Sequence, residues 1–197
     1  MNATTTTPAR VSATDALGAI LAENVHVVDQ LRDASAETLD AAADRLQRAE
    51  RVFVLGAGRS GLALRMTAMR LMHLGLDVHV VGEVTAPAIA DGDVLLVASG
   101  SGTTGAIVRA AETASALGVG IVALTTDADS TLARLAEVTV VIPAAAKQDH
   151  GGPLSEQYSG GLFEQSVLLV GDALFHTLWK VSGATAEQLW PRHANLE

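Results

Sequence analysis

The 197-residue sequence predicts an α/β fold: a doubly wound, five-stranded parallel sheet flanked by helices, with two helices ahead of the first strand. Three observations carry that prediction. Short β-branched apolar runs alternate with helical stretches between residues 52 and 142. The runs lack the in-out alternation of a half-exposed strand, as strands buried on both faces should. Hydrophobic residues make up 49% of the chain and charged residues 18%, so there is enough apolar side chain to fill a core on each side of a sheet.

Taken in order, the first ten residues, MNATTTTPAR, have no apolar stretch resembling a secretory signal and read as a short disordered tail. Residues 11–197 then read as a single domain. From Val11 to Glu50 the pattern is helical. Leu17, Ile20, Leu21, Asn24, Val27, Val28 and Leu31 recur at spacings of three and four, which marks one apolar stripe. Ser35 stands where an N-cap belongs, ahead of a second helix carrying Leu39, Ala42, Ala43 and Leu46. The strands follow at Val52–Leu55, Val78–Val81, Val94–Ala98, Gly120–Leu124 and Val138–Ile142. Helices are expected near Leu62–Leu74, Thr104–Leu117 and Ser130–Ala136, and right-handed crossovers follow from chain chirality. Pro87 and Asp91-Gly92 make the link between the second and third strands turn-rich rather than helical. Pro143 to Gly161 is irregular. The helix expected over Leu162–Val181 is apolar on nearly every face, which suits deep burial or a subunit interface. The segment from Ala184 to Glu197 is polar.

Composition excludes several classes of function. The chain has no cysteine, which removes disulfides, thiolate metal sites and cysteine nucleophiles together. Aromatic residues are 3%, too few for a base-stacking surface. With 22 Asp and Glu against 13 Lys and Arg, the net charge is −9, so nucleic acid is not an expected partner. No run of about 20 residues is free of polar groups, so no membrane span is expected, and the expected location is the cytoplasm.

Two Gly/Ser loops carry the chemistry. Gly56-Ala57-Gly58-Arg59-Ser60-Gly61 follows the first strand, and Ser99-Gly100-Ser101-Gly102-Thr103-Thr104-Gly105 follows the third. Both lead into helices, whose free N–H groups and positive dipole ends attract phosphate. Glycine allows close backbone approach, and the hydroxyls add donors without charge. Each loop alone is also ordinary turn and cap chemistry. Two of them at the carboxyl edge of one sheet point to a phosphate monoester.

The first loop also fits G-x-G-x-x-G, with Glu83 as a candidate ribose-binding acid. A dinucleotide would leave the second loop unexplained, and the turn-rich link replaces a helix that fold requires. Glu164, at the start of the long helix, is stabilised by the dipole in any reading. As a carboxylate beside an apolar wall, with its pKa raised by desolvation, it is a candidate general base. His193 lies beside Arg192 in the polar tail and gains a role only if that tail folds over a site, its own or a neighbour's.

Val54-Leu55-Gly56-Ala57-Gly58-Arg59-Ser60-Gly61, Ala68-Met69-Arg70-Leu71-Met72-His73-Leu74-Gly75, Ser99-Gly100-Ser101-Gly102 and the ending Arg192-His193-Ala194-Asn195-Leu196-Glu197 together resemble the 6-phospho-3-hexuloisomerase family of the sugar isomerase (SIS) superfamily. The resemblance implies an SIS-type, flavodoxin-like sheet. It implies interconversion of D-arabino-hex-3-ulose 6-phosphate and D-fructose 6-phosphate in formaldehyde fixation, with no cofactor and no metal. Ser99, Ser101 and Thr104 match the phosphate loop, with Gly102 and Thr103 between them; relatives commonly carry Glu where this chain has Thr103. Gly58, Arg59 and Ser60 match the first substrate loop, Glu164 the base, and His193 a histidine often supplied by a neighbouring subunit of a homodimer or homotetramer. The alternatives within the superfamily are another aldose–ketose phosphosugar isomerase and a non-catalytic phosphosugar sensor.

Overall fold

A computed structural model describes residues 12–144 and 155–196. The expected N-terminal tail and much of the irregular 143–161 stretch lie outside the described residues. Two helices, α1 (Ala13–Ala34) and α2 (Ala36–Gln47), precede the alternating part of the chain. That part runs β1 (Val52–Gly56), α3 (Gly58–Leu74), β2 (Val78–Val80), β3 (Val94–Ala98), α4 (Gly105–Ala116), β4 (Gly120–Thr125), α5 (Thr131–Leu135) and β5 (Val138–Val141). The long helix α6 (Gly161–Ser182) follows, then the short α7 (Ala186–Leu189) and a 3-10 turn at Trp190–Arg192.

All five strands are parallel, in the order β2-β1-β3-β4-β5. The order reverses between β1 and β3, which is where ligands bind in sheets of this kind. The register aligns Gly56 with Ala98 at the carboxyl ends of these two strands, so the loops that follow them leave the sheet side by side. No helix joins β2 to β3, as the turn residues predict.

Alternate strand residues feed two cores. Val94, Leu96 and Ala98 of β3 face a core shared with α1, α2, α3 and α6, while Leu95 and Val97 face one shared with α4 and α5. The α3–α6 contact needs close approach: a Cβ on Gly171 would land on the Thr67 hydroxyl and within 3.0 Å of Thr67 Cβ. Thr67 is fully buried and bonds Ala63 O at 3.3 Å, so it has no room to retreat.

Three local readings change, and one segment gains detail. The third helix starts at Gly58 rather than near Leu62, because Gly61 packs directly on the end of β1: a Cβ on Gly56 would stand 2.8 Å from Gly61 N. Ser35 occupies the junction of α1 and α2, but its side chain makes no capping bond; its N–H instead closes α1 onto Leu31 O. The apolar stripe of α1 is two stripes. Asn24, Val27 and Leu31 are buried, while Leu17, Leu21 and Val28, joined by Val25, face outward. The polar C-terminal segment is ordered by a capping box between Thr185 and Gln188.

Candidate active site

The first loop places Gly58, Arg59 and Ser60 in the opening turn of α3. Gly58 takes φ 57°, a left-handed conformation that a side chain resists. Ser60 is buried, whereas the Arg59 side chain is 68% exposed. Arg59 Nε lies 2.7 Å from Glu164 Oε2, and that carboxylate is only 6% exposed. Glu164 sits in the first turn of α6, entered through Ser159 at φ 42° and Gly160 at φ 80°. A buried carboxylate therefore meets an exposed guanidinium at the switch point of the sheet.

The second loop is folded on itself. Ser99 Oγ is 3.2 Å from Thr104 Oγ1, and Ser101 Oγ accepts from both the N–H and the hydroxyl of Thr103. Gly102 takes φ 59°, and any Cβ there would collide with Ser130, so both the conformation and the space call for glycine. Its N–H donates to Ser99 O and its carbonyl accepts from Leu132 N–H, so Gly102 shapes the loop and its amide is already used. The Gly100 carbonyl receives the Thr125 and Thr126 hydroxyls at 3.1 and 2.8 Å. Thr104 is the N-cap residue of α4, so the amides of the first turn open beside the hydroxyls. The two loops meet through α6, where the Phe163 ring packs against Gly100 (a Cβ there would be 3.4 Å from it).

Three groups of residues were not singled out in the sequence. Arg109 returns one turn along α4 to place its guanidinium over Gly105, where a Cβ would be 3.3 Å from Nη1. Spacing i, i+4 from Gly105 was the available signal. Thr125 and Thr126 brace the hydroxyl loop from β4. Glu23 of α1 holds the approach to α6, accepting from Ser155 Oγ at 2.7 Å, Glu156 N–H at 2.8 Å and Gln157 Nε2 at 2.8 Å. Desolvation pushes the Glu23 carboxyl up, but these hydrogen bonds outweigh it and hold the group below the usual carboxylate range. Gln165 continues the network to Gln157 Oε1 and to Asn24.

Two candidates lie apart from this cluster. Glu83 Oε1 is 2.6 Å from Arg65 Nη1 on the outside of α3, engaged with the helix rather than a ligand loop. His193 stacks on His73 with ring centroids 3.9 Å apart, and Arg192 Nη1 donates to His73 O. His73 ends α3 and Arg59 begins it. At 1.5 Å per residue, a helix of this length separates them by about 20–25 Å. Within one protomer, His193 and Glu164 are not brought together. Burial first, and then His193 and Arg70, hold the His73 imidazole below its ordinary range.

Residues 45–160 match the SIS domain family. The 3-hexulose-6-phosphate isomerase of Mycobacterium gastri is 52% identical over 190 residues, covering 94% of this chain and 96% of its own. The Bacillus subtilis 3-hexulose-6-phosphate isomerase is 36% identical, covering 87% and 95%. A solved Methanococcus jannaschii protein, whose structure was taken to infer 3-hexulose-6-phosphate isomerase function, superposes with a TM-score of 0.79 at 27% identity over 93% of this chain and 99% of its own.

Proposed function

The chain belongs to the SIS domain family, and on that premise we propose that it interconverts D-arabino-hex-3-ulose 6-phosphate and D-fructose 6-phosphate, with Glu164 as the base. The observation that carries the reading is the buried Glu164 carboxylate 2.7 Å from Arg59, beside a hydroxyl-lined loop at the point where strand order reverses. The near end-to-end match to isomerases of this specificity favours it over a sensor module or a different phosphosugar isomerase.

The reaction moves a carbonyl from C3 to C2. A proton leaves C2 and one returns to C3 through a cis-enediol, so a single carboxylate on one face of the substrate serves both carbons. Such proton transfer contributes about 10²–10⁴-fold. The enediolate oxygens need donors held in place, and Arg59 stands ready beside the base. Ser99, Ser101, Thr103, Thr104 and the α4 amides hold the phosphate, with Arg109 adding charge. Because the phosphate is remote from C2 and C3, its binding energy positions the reacting carbons against Glu164. The 3-keto sugar is open-chain, since phosphate blocks its C6 oxygen. Fructose 6-phosphate cyclises, and His193 is suited to catalyse ring opening if a second subunit presents it. The reading carries a homo-oligomer with it, and exposed apolar stripes on α1 and α3 support one. Among the described residues no helix is long and apolar enough to cross a membrane; we place the enzyme in the cytoplasm with its phosphosugars.

A coupled assay reading fructose 6-phosphate tests the proposal. Glu164→Gln is expected to lose at least about 10²-fold in kcat while still binding fructose 6-phosphate by calorimetry. Near-normal turnover would remove Glu164 as the base.

A further inference from the structure

Glu164 is aimed by the turn it follows, and that turn is not a relaxed one. Among the described residues, Ser159 is the one non-glycine position with a positive φ, 42°. Such a backbone persists only where its surroundings over-determine it. Gly160, the N-cap residue of α6, brings no side chain to close the helix start.

The contacts that bracket this turn come from α1. Glu23 accepts from Ser155 Oγ at 2.7 Å, Glu156 N–H at 2.8 Å and Gln157 Nε2 at 2.8 Å, so three donors converge on one carboxylate. Gln157 lies against the first residue of α6: a Cβ on Gly161 would stand 3.2 Å from its Oε1. The same Oε1 accepts from Gln165 Nε2 at 2.8 Å. Asn24, beside Glu23 on α1, donates to Gln165 Oε1 at 2.6 Å. The path therefore leaves α1 at Glu23, runs through Gln157 to Gln165, and returns to α1 at Asn24. Its grips at 157 and 165 lie on either side of Ser159, Gly160 and Glu164.

We propose that Glu23 is a positioning residue for the base: through Gln157 and Gln165 it sets the direction in which α6 presents Glu164. This role rests on the reading of Glu164 as the base and names the group that aims it. A carboxylate is required at position 23. It has no hydrogen to donate, so all three donors can point at it, whereas an amide of the same shape turns its own NH2 toward at least one of them. The consequence falls on the base because a displacement of about 1 Å at a catalytic group costs up to about 10²-fold in rate. It does not fall on the hydroxyl loop, which is built on β3 and α4.

Steady-state kinetics on the full chain test the role, at a temperature where circular dichroism shows each variant folded. Glu23→Gln is expected to lower kcat about tenfold or more, while KM for fructose 6-phosphate changes by less than about twofold. Gln165→Met cuts the path at its far end and is expected to lose kcat in the same way. The double variant is expected to be no slower than the worse single one, since groups in one network are not additive. On a Glu164→Gln background, adding Glu23→Gln is expected to cost nothing further, because no base is left to aim. A strut serving stability alone would lower Tm and leave the kcat of the folded protein unchanged. Wild-type kcat in folded Glu23→Gln overturns the role; should that variant not fold, wild-type kcat in Gln165→Met does so. A further loss of about tenfold on the Glu164→Gln background also overturns it, since Glu23 would then act apart from the base. Near-normal turnover of Glu164→Gln alone overturns the base reading and this role together, whereas an inactive Glu164→Gln beside a fully active Glu23→Gln overturns this role alone.

Discussion

Glu164 and Arg59 are 105 positions apart in the sequence, yet both stand out as candidates because each lies in the first turn of a helix after a glycine-rich turn. Their pairing was not readable, since it depends on how closely α6 lies against α3. The hydroxyls of the second loop were legible for the same local reason, and their internal bonds were not. Ser99→Ala combined with Ser101→Ala removes two of the proposed phosphate donors and leaves Glu164 in place. KM is expected to rise about tenfold or more, with a smaller change in kcat; an unchanged KM in the coupled assay would place the phosphate elsewhere. His73 makes a prediction about pH. Held low when folded, it takes up a proton more readily in the unfolded chain, so its contribution to stability is full above the ordinary imidazole pKa of about 6.5 and declines as pH falls below it. Urea titrations at about pH 7.5 and about pH 5.5 are expected to show a smaller loss for His73→Gln than for wild type. Identical losses would assign the acid sensitivity to another group.

At the scale of elements, the strands were legible because each is a short run rich in β-branched residues, fully buried in β3 and β4 and partly exposed at the edges in β2 and β5, and their boundaries shifted by one residue or none at either end. The start of α3 was misplaced by four residues because Gly58 and Gly61 look like loop formers, whereas Gly58 takes φ 57° to open the helix and Gly61 packs on Gly56. The division of α1 into inward and outward stripes was hidden because both are apolar, and sequence hydrophobicity does not distinguish a core from an uncovered surface. The close seat of α6 on α3 carries its own prediction. Gly171 lies seven residues, two helical turns, beyond Glu164 on the same face. Gly171→Ala is expected to push α6 outward and lower kcat about tenfold or more, since small displacements of a catalytic group are costly. Thr67→Ala should restore much of the loss by vacating the space. A double variant no better than Gly171→Ala would show that the spacing is not what the activity depends on.

For the whole molecule, the flavodoxin strand order and the side-by-side loops follow from the alternation of elements, which local sequence displays. The polar ties across the fold do not, because each is a single contact between distant segments. The Arg51–Asp93 pair at the amino end of the sheet is one, bonded at 2.9 and 2.6 Å around a fully buried carboxylate. Desolvation of Asp93 opposes its ionisation, but Arg51 and the Ala90 amide hold it below the usual range, so this clamp is lost only in acid. The Glu23 network is another, and it links the outermost helix to the start of α6. Glu23→Ala is expected to lower stability by about 1–3 kcal/mol in urea denaturation, the cost of stranded donors; no change would show that water replaces the carboxylate. This tether bears on how the protein could be trimmed. An engineer excising the recognisable family segment, residues 45–160, would keep both Gly/Ser loops but discard α6 with Glu164 and the α1 carboxylate that moors its entrance. Such a fragment would also bare the side of the sheet that α1, α2 and α6 cover.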